Sequence, residues 1–130
     1  MKVLIACEFS GIVRDAFAER GHDSWSCDIL PTESKGSHIQ DDVLKHLDKD
    51  WDLLIAHPPC TYLSRAGARW LYPKAKQLDQ ARYEKGLKGK EFFMKLFDSS
   101  IDKIAIENPT PFRIFNLPKP TQVFDTIKTN

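Results

Sequence analysis

The chain has 130 residues, of which 42% are hydrophobic and 28% charged, with a net charge of +1. That length buries one core and is too short for two ordinary domains, so a single domain over residues 1–130 is expected, and the balance excludes a disordered or membrane-embedded chain. Three cysteines, Cys7, Cys27 and Cys60, form an odd number without C-x-x-C spacing, which argues against a disulfide framework and against a metal site.

The first apolar run, Val3 to Ala6 behind one lysine, is far short of the ~18 residues that span a bilayer. A cytoplasmic protein with reduced thiols is expected. Lys2 to Glu8 reads as a strand, Phe9-Ser10-Gly11 as a tight turn, and Ile12 to Arg20 as a helix with Ile12, Val13, Ala16 and Phe17 at helical spacing. Gly21 supplies the stop, and His22 to Cys27 reads as a second strand ending at Asp28. Pro31 to Gly36 is loop by composition. Asp41-Asp42 would cap a short helix from Val43 to Leu47, and Trp51 to Ala56 is a continuous apolar run of the kind a buried parallel strand shows, stopping at Pro58-Pro59. From Lys74 to about Phe97 the pattern is helical, with Phe92, Phe93, Leu96 and Phe97 on one face and Gly86 and Gly89 as points of weakness. A fourth strand, Lys103 to Glu107, stops at Asn108-Pro109, and a loop-rich tail follows from Pro111.

Strands alternating with helices predict an α/β domain, a parallel sheet flanked by helices with right-handed crossovers, and such sheets bind ligands at the carboxyl ends of their strands. Glu8 to Gly11, Asp28, His57 to Cys60 and Glu107-Asn108 all fall there. Gly11 in a strand-to-helix turn would let a cofactor approach the backbone, and Asp28 stands where an acid accepts hydrogen bonds from a ribose diol. The plain alternatives are an ordinary turn glycine and a turn or cap aspartate. Two prolines fix two φ angles and project Cys60 from a stiff loop, where cationic neighbours favour the nucleophilic thiolate; most lone cysteines are instead buried spacers. Glu107, beside apolar Ile104 to Ile106, is placed to donate a proton to a ring nitrogen or merely to cap the next loop.

Charge divides unevenly along the chain. Residues 1–57 hold six Lys/Arg against eleven Asp/Glu, whereas 65–90 hold eight against two, interleaved with Trp70, Tyr72 and Tyr83. Clustered cations attract a polyanion and aromatic faces stack on bases, so the middle of the chain is a nucleic-acid candidate; the alternative is a solvated helix face.

Phe9-Ser10-Gly11, Pro58-Pro59-Cys60 with Leu63-Ser64 after it, and Glu107-Asn108 resemble, in order and strand context, the cofactor loop, Pro-Cys loop and Glu-Asn motif of the DNA cytosine-5 methyltransferases, most closely short phage-type members. The resemblance spans roughly residues 1 to 120. It implies a Rossmann-like S-adenosylmethionine-dependent methyltransferase fold, C-terminally truncated, whose missing recognition elements a second chain or a homo-oligomer would supply. It implies that Cys60 attacks C6 of a cytosine flipped out of DNA, that Glu107 holds and protonates N3, and that Asn108 braces the loop carrying Pro59-Cys60. By the same resemblance Glu8, Phe9, Ser10, Gly11 and Pro58 line the S-adenosylmethionine site, Asp28 holds its ribose and Asp42 faces its adenine amino group. Ser64, Arg65 and Arg69 are the candidate DNA contacts. Two other readings stay open: an amino methyltransferase acting on exocyclic nitrogens, for which His57 before the prolines fits but Cys60 replaces the expected aromatic; and a homologue that binds cofactor or DNA without turnover. A dinucleotide-dependent dehydrogenase is discounted, because it wants Gly-x-Gly-x-x-Gly where only Gly11 is present and leaves Cys60 and Glu107 unused.

Overall fold

Val3 to Ala6 are fully buried, and such an uninterrupted apolar run suits only a strand covered on both faces. The computed structural model, which describes residues 1–58, 77–107, 115, 117 and 118, places them in β1 (Lys2–Ala6) at the centre of a five-stranded parallel sheet. The other elements are α1 (Ile12–Glu19), β2 (Asp23–Asp28), β3 (His38–Gln40), a 3₁₀ turn (Val43–Lys45), β4 (Leu53–Ala56), α2 (Gln80–Phe97) and β5 (Lys103–Ile106). The sheet order is β3-β2-β1-β4-β5. Register sets Ala6 level with both Cys27 and Ala56, and Ala56 level with Ile106, so the strands end along one line.

The chain runs outward from β1 to β3, then returns past β1 to start β4 and run outward the other way. Crossovers that run in opposite directions from β1 go with helices on opposite faces. On one face Leu96 of α2 packs with Leu4, Ala6, Cys27, Leu54 and Ala56, closed off by Val43, Trp51 and Ile101. On the other, α1 reaches Ser26 of β2, the neighbour of Ile5 in register. Lys2 lies 4.7 Å above the Trp51 ring and donates to the Lys49 carbonyl at 2.6 Å, securing the entry to β4. Among the described residues no helix is long and apolar enough to cross a membrane.

The sheet has five strands where the sequence reads as four. β3 is three residues, none fully buried, and exists through its parallel pairing with Ser26 to Asp28. Val43–Lys45 makes a single 3₁₀ turn instead of a helix to Leu47. The second helix starts at Gln80, not Lys74, because the Asp79 side chain caps it by accepting from the Arg82 amide. It runs unbroken through Gly86 and Gly89, and Gly86 is buried. Phe97 is 46% exposed, stacked on Phe93 rather than in the core.

The apolar face read for α1 is turned inward only in part, with Val13 and Phe17 half-buried. Ile12 is 74% exposed and Ala16 exposed, while Arg14 is 1% exposed. A buried hydrogen-bond network around Arg14 decides the helix's orientation.

Candidate functional site at the carboxyl edge of the sheet

The edge begins with a sharp departure from β1. Cys7 has φ 61, in the left-handed region that side chains disfavour. The kink aims two consecutive amides, Cys7 and Glu8, at the Cys27 carbonyl, at 2.8 and 3.3 Å. Glu8 then turns back toward α1: its carboxylate oxygens accept from the Val13 and Arg14 amides, both at 3.1 Å, and the residue is only 7% exposed. The Ser10 hydroxyl accepts from the Ile12 amide at 3.3 Å. Glu8 therefore caps the helix, facing it rather than the crevice where a cofactor contact was expected.

Gly11 is needed for a different reason than the one read from its position. Its φ is 81, and a Cβ there would collide with the Ser34 hydroxyl and the Arg14 guanidinium. The missing side chain makes room for the protein's own groups.

Those groups form the network that sequence reasoning missed. The Arg14 guanidinium donates to Asp15 at 2.8 Å, Ser26 at 3.0 Å, Thr32 at 2.9 Å, the Ser34 hydroxyl at 2.7 Å, and the Ser34 and Lys35 carbonyls. Every guanidinium nitrogen has a partner, which is what a buried arginine requires. The same hydrogen bond holds the Asp15 carboxyl below the usual carboxylate range. Gly36 presses against this guanidinium, where a Cβ would come within 2.6 Å. The result is a strut from α1 across β2 to the loop that follows Asp28, and the Ser34 hydroxyl also reaches the Ser10 carbonyl at 3.1 Å. The available signal was the alternation Ser24-Trp25-Ser26, which puts hydroxyls on a face expected to be apolar.

Asp28 ends β2 and accepts from the Leu30 amide at 2.9 Å through one oxygen. Asp42 caps the 3₁₀ turn by accepting from Leu44 at 3.0 Å. Both carboxylates lie near Cys7: burial first, then the charge of Asp28 and, more weakly, that of Cys27 and Asp42, push its thiol up to about 12. Burial likewise takes Cys27 to about 11, its thiol donating to the Asp41 carbonyl. Neither is a nucleophile near neutrality. Around them Phe9, Ile12, Ile29 and Leu30 are exposed, all on the two segments that follow β1 and β2.

Across the switch point, β4 and β5 end in His57 and Glu107. The His57 amide donates to the Ala6 carbonyl at 3.1 Å and the Glu107 amide to the Ala56 carbonyl at 3.0 Å, so the ladder fixes both residues one step past the sheet. Their side chains meet, His57 Nδ1 to Glu107 Oε2, at 3.0 Å. The imidazole is 30% exposed and the carboxylate 78%. Pro58 is buried. Pro59, Cys60, Ser64, Arg65, Arg69 and Asn108 lie outside the described residues.

A cavity of about 280 Å³ lies elsewhere, behind α1 at the amino end of β2, lined by Arg14, Asp15, His22, Asp23, Ser24 and Lys35. It touches none of the residues read as the site. Comparison with family models, with curated proteins and with solved structures finds no match, so the functional reading rests on the chemistry of the edge itself.

Proposed function

We propose that the chain is an S-adenosylmethionine-dependent DNA methyltransferase acting at C5 of cytosine, with Cys60 as nucleophile and Glu107 as the acid at N3. The observation that carries the reading is the strand order. The sheet reverses direction between β1 and β4, and a crevice opens where neighbouring loops diverge from such a point. The segment from Glu8 to Gly11 leaves on one side of it and His57-Pro58 on the other. Cofactor and base would then meet over β1 and β4.

The β1–β2 side suits a nucleoside in kind. Asp28 offers a carboxylate oxygen beyond the one that holds Leu30, and Ile29, 73% exposed, stands next to it as an apolar seat for a flat base. Asp42 adds a second carboxylate nearby. S-adenosylmethionine bound there supplies an electrophilic methyl group. On the other side, Glu107 projects from the end of β5 into solvent, free to reach a ring nitrogen. The thiolate of Cys60 would add to C6 while the Glu107 carboxyl gives its proton to N3, so that the electron pair of the C5–C6 double bond becomes available at C5. A base in a duplex cannot be approached from above its ring, so it must first leave the stack.

The test is covalent trapping. Full-length protein incubated with S-adenosylmethionine and DNA carrying 5-fluorocytosine should form a denaturation-resistant adduct, lost in Cys60→Ser, with 5-methylcytosine as the product on ordinary DNA. Methyl transfer to an exocyclic nitrogen without an adduct would favour the amino methyltransferase. Binding of S-adenosylmethionine with no transfer would favour a non-catalytic homologue.

A further inference from the structure

We propose that His57 is a positioning residue for Glu107, a role that rests on the methyltransferase reading above and refines it. The two residues are fifty apart in the chain, yet the β4–β5 register sets Ala56 level with Ile106 and delivers both side chains to the same point one residue later. Their contact is a well-formed hydrogen bond at 3.0 Å.

The bond has a direction. With the proton destined for N3 on Oε1, Oε2 can only accept, so the hydrogen bond runs from Nδ1–H to Oε2. Nε2 is buried and has no hydrogen-bond partner among the described residues. In the Nδ1–H tautomer Nε2 carries only a lone pair. The imidazole is thus a donor with one orientation, anchored by a backbone amide on β1's carbonyl.

Glu107 needs such an anchor. Its carboxylate is 78% exposed, and a glutamate in water samples many rotamers. Holding Oε2 on His57 leaves Oε1 as the oxygen that can meet N3, and confines it to an arc set by the β4 strand end. Since Cys60 follows His57 by three residues, the same strand end that launches the nucleophile also sets the acid. Asn Nδ2 occupies nearly the position of His Nδ1, so His57→Asn keeps the donor, and His57→Ala deletes it.

The experiment measures methyl transfer to DNA by wild type, H57A and H57N, alongside ¹⁵N spectra of the imidazole in wild type and Glu107→Ala. Misorientation of one reacting group predicts that H57A loses about tenfold in kcat, with KM for DNA and for S-adenosylmethionine within about twofold, and that H57N recovers to within about threefold of wild type. The His57 ring should be the Nδ1–H tautomer and should change in Glu107→Ala. An active wild type with H57A unimpaired overturns the proposal, and so does an H57N as poor as H57A. A wild type that neither transfers nor traps overturns the cytosine-5 reading instead, and the spectra then decide the pairing. An Nε2–H ring indifferent to Glu107→Ala ends it, whereas an Nδ1–H ring that responds sustains it.

Discussion

Along the β1–β2 half of the carboxyl edge the polar side chains are mostly committed to the protein itself, whereas on the β4–β5 half the Glu107 carboxylate stands in solvent with one partner among the described residues. Glu8 caps a helix, Ser10 and Ser34 bond backbone, and Arg14 ties α1, β2 and the following loop into one unit. Glu107 by contrast has only His57 among the described residues. The difference separates scaffold from chemistry: a cofactor seat gains from rigidity, while a group that must exchange a proton with a ligand has to keep an oxygen free.

Breaking the scaffold side should have the largest effect. Arg14→Met removes a buried guanidinium and strands the groups it serves, and an urea unfolding curve should show a loss of about 3 kcal/mol. A loss under about 1 kcal/mol would mean that the network is decoration. On the chemical side the pattern should invert. Glu107→Gln should lower methyl transfer by about a hundredfold and leave unfolding within about 0.5 kcal/mol of wild type. Comparable damage to stability would erase the contrast.

Glycines sharpen it further. Gly11 and Gly21 share a positive φ, 81 and 86, but a Cβ on Gly21 meets nothing within 4 Å while one on Gly11 meets Ser34 and Arg14. Gly21→Ala should cost about 1 kcal/mol, the left-handed penalty alone, and Gly11→Ala at least about 2 kcal/mol because the strut must also give way. Equal costs would remove the strut from the explanation.

The smallest effect concerns the thiols. With Cys7 raised to about 12 and Cys27 to about 11 from an ordinary 9.0, iodoacetamide at pH 8 should label neither in the folded Cys60→Ser variant. The unfolded chain releases these protons first as pH climbs past about 9, so stability should fall with rising pH above that point. Rapid labelling at pH 8 would contradict the burial described for both.

Much of this architecture could be read from the sequence because three strands are uninterrupted apolar runs: Val3 to Ala6 is fully buried at the sheet centre, Leu53 to Ala56 buries Leu54 and Ala56, and Ile104 to Ile106 forms the edge strand with its isoleucines half-buried. β3 could not be read, since His38–Gln40 is polar, short and stabilised only by its partner. That Asp28, His57 and Glu107 fall at strand ends of one edge followed from topology and was legible, whereas Asp42 was assigned to the site only through the family resemblance. The Arg14 strut was not, because an arginine in an amphipathic helix normally faces water, and only the spacing of Ser24 and Ser26 against Thr32, Ser34 and Gly36 hints at an internal polar layer. The His57–Glu107 contact needs the β4–β5 register, which no single-chain pattern provides.

The cap on α1 also bears on the sign of the ligand. A helix that follows the first strand of such a sheet ordinarily offers bare amides and a positive dipole end, which is the lodging for a pyrophosphate. Here the Ile12, Val13 and Arg14 amides already face Ser10 and Glu8, and a carboxylate neutralises the dipole from within. Asp28 and Asp42 add negative charge close by. An anionic dinucleotide would enter this field uphill, and a cationic sulfonium would enter it downhill.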